Sequence, residues 1–494
     1  MSELPVPGYS AQPKTWHCGT LTYTKPALTI LFFWLLWGDV CYTLMESVTG
    51  PIMLKKFEKL GAMNWEIALI LTTIPTTVYS MLNPVISFKS DRYRSRWGRR
   101  IPFILFTLPL LVLALVGLAF GDRLGFWLHG HLNPAGISPN RMAMWTLGLL
   151  LVVFTFFNTF VCSTFWYLFN DVVPEHLLAR FMSWFRSIGT IAASIYSFFI
   201  FPYSGTHSTA IFLGAAALYL VGFGLMCFYV REGQYAPPAA YAGGGSGAIA
   251  MITTYGKECH SHKHYWYLWI CTFIGAIGGG VGAFDLFFKQ AIGLDMQHIG
   301  YLNGTISATV FVLILGSGWL ADRFHPIRVV LAAIILGLVL VTPSSMIWLF
   351  WHPSPHVAFW TSMAMGIGLL APAAALGGMW DPPMLMRVFP RSNYGTFCST
   401  NAIWRSVGAM IGGIMAGGFL DIMTPLVGKD RAYCFSPIWS IFFAIPSFIL
   451  FLKFYQSWKR CGGDDNYLPP CPDTVAPLAE AVAEESEAAL MSIT

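Results

Sequence analysis

Charge is scarce in this sequence. Asp, Glu, Lys and Arg make up 11% of its 494 residues, where a soluble globular domain carries about 25%, so the chain lacks the polar covering that a water-soluble fold needs. It has no G-x-x-x-x-G-K-[ST] phosphate loop, and with it ATP-driven pumping loses its engine. Neither H-E-x-x-H nor G-x-S-x-G occurs, which removes two routes to an intramembrane hydrolase. The ten cysteines are scattered, several within apolar stretches (Cys41, Cys162, Cys227, Cys271, Cys398), and no C-x-x-C pair exists. Neither a disulfide framework nor a zinc-built fold is indicated. The N-terminus also lacks the basic-then-apolar order of a secretory leader, so the first apolar stretch is expected to act as the insertion signal.

What the chain has instead is apolar sequence, 55% of all residues. A spanning helix needs about 20 mostly apolar residues, and hydropathy places such runs near 26–50, 66–88, 101–121, 141–166, 181–203 and 209–230. A second set follows near 266–288, 299–320, 328–350, 358–379, 397–422 and 437–457. The expected fold is an all-α membrane protein of twelve helices. It divides into an N-terminal segment 1–25, a six-helix half 26–230, a linker 231–265 rich in Pro and Gly, a second half 266–457 and a tail 458–494. The tail is acidic and Pro-rich after Arg460, and it is expected to be disordered.

The net charge of +5 is unevenly placed. Lys89, Arg92, Arg94, Arg96, Arg99, Arg100, Arg180, Arg231, Arg323, Arg328, Lys459 and Arg460 all fall in loops on one side of the expected topology. This bias predicts both termini on the cytoplasmic side of a cell membrane, the inner membrane if the source is bacterial. It reports orientation and lipid contact, not a nucleic-acid partner. The halves also echo each other. FRSIG at 185–189 returns as WRSVG at 404–408, and SDR at 90–92 returns as ADR at 321–323. A duplicated transporter with its site between the repeats follows.

SDRYRSRWGRR, residues 90–100, is the most specific stretch, and GWLADRFHPIR at 318–328 repeats it in shorter form. Here the chain resembles the major facilitator superfamily, whose second loop carries G-x-x-x-D-R-x-G-R-R. The longer form, followed by Pro102, looks like the glycoside-pentoside-hexuronide:cation symporter branch and the sucrose:proton symporters. That resemblance implies alternating-access symport of a sugar or glycoside. It also implies a cytoplasmic gate in which Asp91, Arg92 and Arg99, with Asp322 and Arg323, latch the halves and release them. Ser87 stands where the general motif has its first glycine, whereas Gly318 keeps it.

The same resemblance places Asp39, in WGD of the first helix, where melibiose-type symporters hold a cation-binding aspartate. The two aspartates of their second helix fall on Tyr79 and Asn83, and the fourth span offers only Asn158. Sodium wants several hard oxygen ligands, so proton coupling fits these residues better. A carboxylate near the middle of a span is expensive unless neutralised. Glu46 lies seven residues on, on the same face and about 10 Å away, and the pair is expected to line one coupling path. Arg186 and Arg405, the repeat-related charges, either snorkel at the rim or face the cavity. In the cavity they would hold hydroxyls, a uronate carboxylate or acidic side chains. Asp285 is a candidate cavity residue or a solvated helix end, and Trp37 a candidate sugar-stacking ring. Gly275, Gly279, Gly408, Gly412 and Gly413 read as packing positions. Cys259, His260, His262 and His264 read as a solvated loop, not a metal site. No cofactor or metal is expected, and the expected partners are a small-molecule substrate, a sugar by the resemblance, a proton and the lipid bilayer, with the chain a monomer. The competing reading keeps the fold but makes it an exporter or facilitator of another small molecule.

Overall fold

The computed structural model describes residues 15–132, 136–234, 259–378, 380–390 and 394–470. Among them twelve helices are long and apolar enough to cross a membrane. They are α1 Lys25–Lys59, α2 Asn64–Arg92, α3 Ile101–Leu132, α4 Pro139–Val172, α5 Arg180–Tyr203, α6 Ser208–Tyr229, α7 Lys263–Ala291, α8 Met296–Gly316, α9 Pro326–Leu349, α10 Pro355–Gly377, α11 Tyr394–Val427 and α12 Lys429–Arg460. A short hairpin, β1 Trp16–Cys18 and β2 Leu21–Tyr23, precedes α1. The chain is a multi-pass membrane protein.

The helices outrun the apolar stretches that reveal them. At 1.5 Å per residue the 35 residues of α1 extend about 52 Å, well past a hydrocarbon core of about 30 Å. Hydropathy stops at the first charges, but hydrogen bonding does not. Lys56, in the last turns of α1, donates to the carbonyls of Leu118 and Ala119 at 3.0 Å and to Asp122 at 3.1 Å, tying α1 to α3.

Proline shapes the helices locally. Wide π turns occupy Leu69–Thr73, Tyr196–Ile200, Gly337–Val341 and Gly366–Leu370, and each ends two residues before a proline: Pro75, Pro202, Pro343 and Pro372. A proline lacks the N–H that an α turn requires and crowds the preceding turn. The ladder widens there to a π turn.

Helices α1–α6 pack on one another, chiefly α3 on α4 and α6, α1 on α6 and α2 on α4; α7–α12 do likewise, with α7 against α11 and α12 and α10 against α8 and α9. Two contacts dominate between the groups among the described residues: α11 against α2, and α8 against α5. The residues in these contacts lie at one end of the bundle, the end of Asn64, Pro202, Gly300 and Gly417. The opposite end carries the arginine-rich loop 93–100.

Two short segments brace that opposite end. The β1–β2 hairpin lies under α4, with Cys18 Sγ 3.5 Å from the carbonyls of Asp171 and Val173, and Thr20 accepting from Gln234 N at 2.8 Å. Burial and the neighbouring Asp171 charge push the Cys18 thiol above its ordinary pKa. Residues 461–470, expected to begin a disordered tail, instead pack under the second half. Tyr467 donates to the Val388 carbonyl at 2.9 Å and meets His264 at 3.1 Å, and Arg328 pairs with Asp464. The tail's acidic composition hid the one aromatic residue that anchors it. The rest of it, 471–494, lies outside the described residues, as does 235–258 of the linker.

Candidate functional site

Three cavities meet around the π turn of α2. One, of about 440 Å³, is lined by Tyr42, Glu46, Tyr79, Thr155 and Asn158 on α1, α2 and α4. A second, of about 730 Å³, lies mostly within the second half and is lined by Thr272, Trp380, Arg405, Ser440 and Ser447. A third, of about 340 Å³, holds Asp285 and Asn303 and shares Leu71 with the first and Thr72 with the second. The widened turn Leu69–Thr73 therefore stands where the spaces of both halves adjoin.

Within the first cavity Tyr42 donates to Glu46 Oε1 at 2.6 Å and lies 3.2 Å from Cys162 Sγ. The Asn158 side chain bonds the same carboxylate. Tyr79 is within electrostatic reach of both Glu46 and Arg405. Arg405 lines the second cavity. Its repeat partner Arg186 on α5 lies 4.0 Å from the Cβ position of Gly378, beyond α10, and so reaches toward the second half.

Asp39 occupies a different place. It is 3% exposed, with Oδ2 3.1 Å from the Cβ position of Gly189 on α5. The Thr43 hydroxyl bonds its carboxylate, while Oδ2 is a buried oxygen with no hydrogen-bond partner among the described residues. At 100° per residue Asp39 and Glu46 lie about 20° apart on α1: one face, with Glu46 in the cavity and Asp39 sealed against α5. Trp37 is on the opposite face. Nine residues from Glu46 is about half a turn, and its Nε1 lies 3.3 Å from the Cβ position of Gly222 on α6. The stacking reading of Trp37 gives way to a packing one for that reason. Trp34 likewise stacks on Tyr229 of α6 at 4.4 Å. Asp285 does line a cavity and receives Lys289 at 2.5 Å, and Lys289 also donates to Asn303 at 2.7 Å.

The closed end has a feature that sequence reading missed. Asp421 of α11 accepts from Asn64 N at 3.0 Å, Asn64 Nδ2 at 2.9 Å and Trp65 N at 2.9 Å. It thus supplies α2 with an N-cap from the other half, a negative charge against the positive end of the helix. Asn64 Oδ1 in turn accepts from Tyr433 at 2.8 Å, and Lys429 reaches Glu58 at 3.2 Å. Gly417 of α11 permits this approach, since a Cβ there would stand 2.6 Å from the Asn64 carbonyl oxygen, while one on Gly412 would stand 2.6 Å from Ile277 Cα of α7, within the second half. Gly408, Gly412 and Gly413 are the packing positions expected, whereas a Cβ on Gly279 would meet nothing within 4 Å. Gly417 and Asp421, one turn apart, gave a signal in GGFLD that went unread.

At the arginine-rich end the described bonds stay within the first half. Asp171, closing α4, accepts from Arg99 Nε at 2.9 Å and from Arg100 Nε at 3.0 Å, and Arg100 also pairs with Asp91 and Ser90. Tyr167 donates to Asn83 at 2.9 Å with its ring 5.0 Å from the Arg100 guanidinium, so Asn83 belongs to this floor. Glu232, just past α6, accepts from the backbone N–H groups of Arg99, Arg100 and Ile101 at 2.6–2.8 Å and caps α3. Gly98 is required there twice over: its φ is +102°, and a Cβ would fall 2.4 Å from Glu232 Cδ. Burial raises the Glu232 carboxyl above its ordinary pKa, against the lowering pull of the three amides. Arg92 ends α2 and Arg323 stacks over Phe324 at 5.9 Å. Asp322 falls in the last turn of the helix Met296–Arg323; its side chain lies outside what is described. The histidine loop is not solvated: His264 is buried and bonds Ser457 at 2.8 Å, and His260 bonds Trp404 at 3.1 Å. Among the described residues no group of three or more His, Cys, Asp or Glu could hold a metal ion.

Comparison with known proteins places this geometry. A family model described as MFS/sugar transport protein matches residues 35–454. Human "Membrane-associated transporter protein" is 29% identical over 124 residues, 24% of this chain and 20% of the relative. Mouse "Solute carrier family 45 member 4" is 26% identical over 262 residues, 48% of this chain and 32% of the relative. The matches thus span at most about a third of these curated relatives. Among solved structures, an inward-facing bacterial homologue of the human lysosomal transporter Spinster superposes with TM-score 0.60 at 15% identity, covering 88% of this chain and 99% of that one. The inward-open xylose transporter XylE of E. coli gives 0.56 at 11% identity, covering 85% and 94%.

Proposed function

The chain belongs to the MFS/sugar transport protein family, and on that footing we propose that it is a proton-coupled symporter that moves a sugar or glycoside by alternating access. One observation carries this reading: the Glu46, Tyr42 and Asn158 cluster opens into a cavity also lined by Tyr79, which lies within electrostatic reach of Arg405 in the other half. The cavity is lined by hydroxyls, an amide and a carboxylate within an apolar wall. That is the chemistry of a neutral polyol site, and about 440 Å³ is within the usual range for small-molecule sites. Glu46 is the carboxylate that meets both substrate and water. Asp39, on the same helix face and without an ion pair among the described residues, is the group whose proton would have to come and go during the transport cycle. Arg405 and Arg186 offer the positive charge that favours its release in the alternate state. The loop charge bias supports both termini on the cytoplasmic side, which makes the arginine-rich end cytoplasmic and this conformation inward-facing.

Purified chain in sealed vesicles, given an inward proton gradient and a panel of mono- and disaccharides with nucleosides as the contrasting class, tests the assignment. Accumulation of a saccharide that collapses with the gradient is expected. Asp39→Asn is expected to abolish accumulation while leaving substrate counterflow, which needs the cycle but no net proton movement. Accumulation that survives in the variant rules Asp39 out as the coupling group. Uptake confined to nucleosides overturns the substrate class.

A further inference from the structure

A fourth cavity, of about 530 Å³, lies away from the transport path, between the ends of α3 and α6. Arg96, Trp97, Ile101 and Leu105 form one wall, and Gly224, Phe228 and Arg231 belong to the other. Its chemistry is split. At the mouth, Arg96 and Arg231 are both exposed, and neither has an ion pair or hydrogen bond among the described residues. The Arg96 guanidinium lies 5.0 Å from the Trp97 ring centroid, and tryptophans gather at membrane interfaces. Deeper along the helices the lining is apolar. Phe228 is 76% exposed, and Gly224 leaves the groove open, since a Cβ there would meet nothing within 4 Å. Glu232 is the one acidic group at the cavity, and its oxygens already accept the three amides that begin α3.

We propose that this groove binds an anionic phospholipid, its phosphate between Arg96 and Arg231 and an acyl chain along Leu105, Gly224 and Phe228. The charges match an anionic headgroup, and juxtamembrane arginines are drawn to such lipids. The apolar floor separates a lipid from a free anion: inorganic phosphate would meet the two guanidiniums but have nothing to fill the depth. Occupancy would also fasten the α3–α6 base beside the amides that Glu232 caps.

The test is the melting temperature of the full chain in detergent, titrated with phosphatidylglycerol, phosphatidylcholine or inorganic phosphate. A saturable rise with phosphatidylglycerol alone is expected. Arg96→Gln with Arg231→Gln should weaken that response about tenfold or more. Gly224→Leu keeps both arginines but fills the groove, and it should abolish the response too; a general attraction of a basic surface for anionic micelles would leave it intact. Native mass spectrometry of the same variants counts retained phosphatidylglycerol and separates loss of binding from loss of folding. An equal rise with phosphate or phosphatidylcholine, or an unchanged phosphatidylglycerol response in either variant, overturns the proposal.

Discussion

The two ends of the bundle use acidic residues for the same task in opposite ways. Asp421 caps α2 from across the halves, whereas Glu232 caps α3 from within its own half. A cap that crosses the divide must be given up when the halves part, and a cap that stays inside one half moves with it as a rigid body. The Asp421 contact therefore belongs to one conformation, and the Glu232 contact can persist through both. The arginine-rich motif follows the second pattern: Arg99 and Arg100 bridge α2, α4 and the start of α3. In this conformation Arg99 and Arg100 form a clasp that keeps the first half in one piece.

Breaking the clasp should have the largest effect. Arg100 is almost fully buried and bridges Asp91 and Asp171, and removing one partner of such a pair costs about 3–5 kcal/mol. Arg100→Gln is expected to lower the melting temperature by several degrees without changing the reactivity of a cysteine placed at Thr72, beside the closed end. Faster labelling at Thr72 in this variant would show that the clasp also holds the far end shut.

Next comes the closed end itself. Gly417→Leu forces atoms against the Asn64 backbone, an overpacking worth about 1–3 kcal/mol, and should open the α2–α11 contact. Gly418→Leu is its control, because nothing lies within 4 Å of that Cβ position. Membrane-impermeant maleimide labelling of Thr72→Cys should rise in the first and stay level in the second. Similar rates would mean that small size at 417 is not what brings the helices together.

Asp421→Ala removes a cap worth about 0.5–2 kcal/mol, a change of about 2- to 30-fold in the balance of states. Maleimide labelling should increase within that range, and transport should slow more than substrate binding weakens. Equal proportional losses in both would place Asp421 at the substrate and not at the closure.

The smallest effect is a pH dependence. The folded state holds the Glu232 proton more tightly than the unfolded chain, where the carboxyl titrates at about 4.3. Its contribution to stability is therefore present below that value and lost as pH rises through the raised one. Relative to Glu232→Gln, which does not titrate, the wild-type melting temperature should lose ground as weakly acidic buffer is brought toward neutrality. A constant gap would show that the three amides offset burial completely.

The twelve helices were legible because a bilayer imposes a length and an apolarity that no side-chain packing can hide. Gly98, Asp91 and the arginines were legible as a motif, since a positive-φ turn and a run of guanidiniums leave marks in adjacent residues. Asp171, Glu232 and Asp421 were not. Each stands at a helix end, where an acidic residue is unremarkable in sequence, and each acts on a backbone or an arginine 70 to 360 positions away. Trp37 and Tyr467 erred in opposite directions: one aromatic looked like a ligand contact and packs a helix, the other looked like part of a tail and anchors it.

By itself the sequence determined that the chain lives in a membrane, crosses it twelve times and is built from a repeated half. Those follow from hydropathy and local spacing, which require no partner. Only the tertiary structure decided which end is closed, that Glu46 faces the cavity while Asp39 is sealed on α5, and that Arg99 and Arg100 bond Asp171 and Asp91 of their own half. These depend on which helix faces which, and that is set by glycine-permitted approach, the π turns before proline and caps supplied from distant residues. Hydropathy alone carries no such information, because inside a bilayer every outward face is apolar whichever neighbour the inward face has chosen.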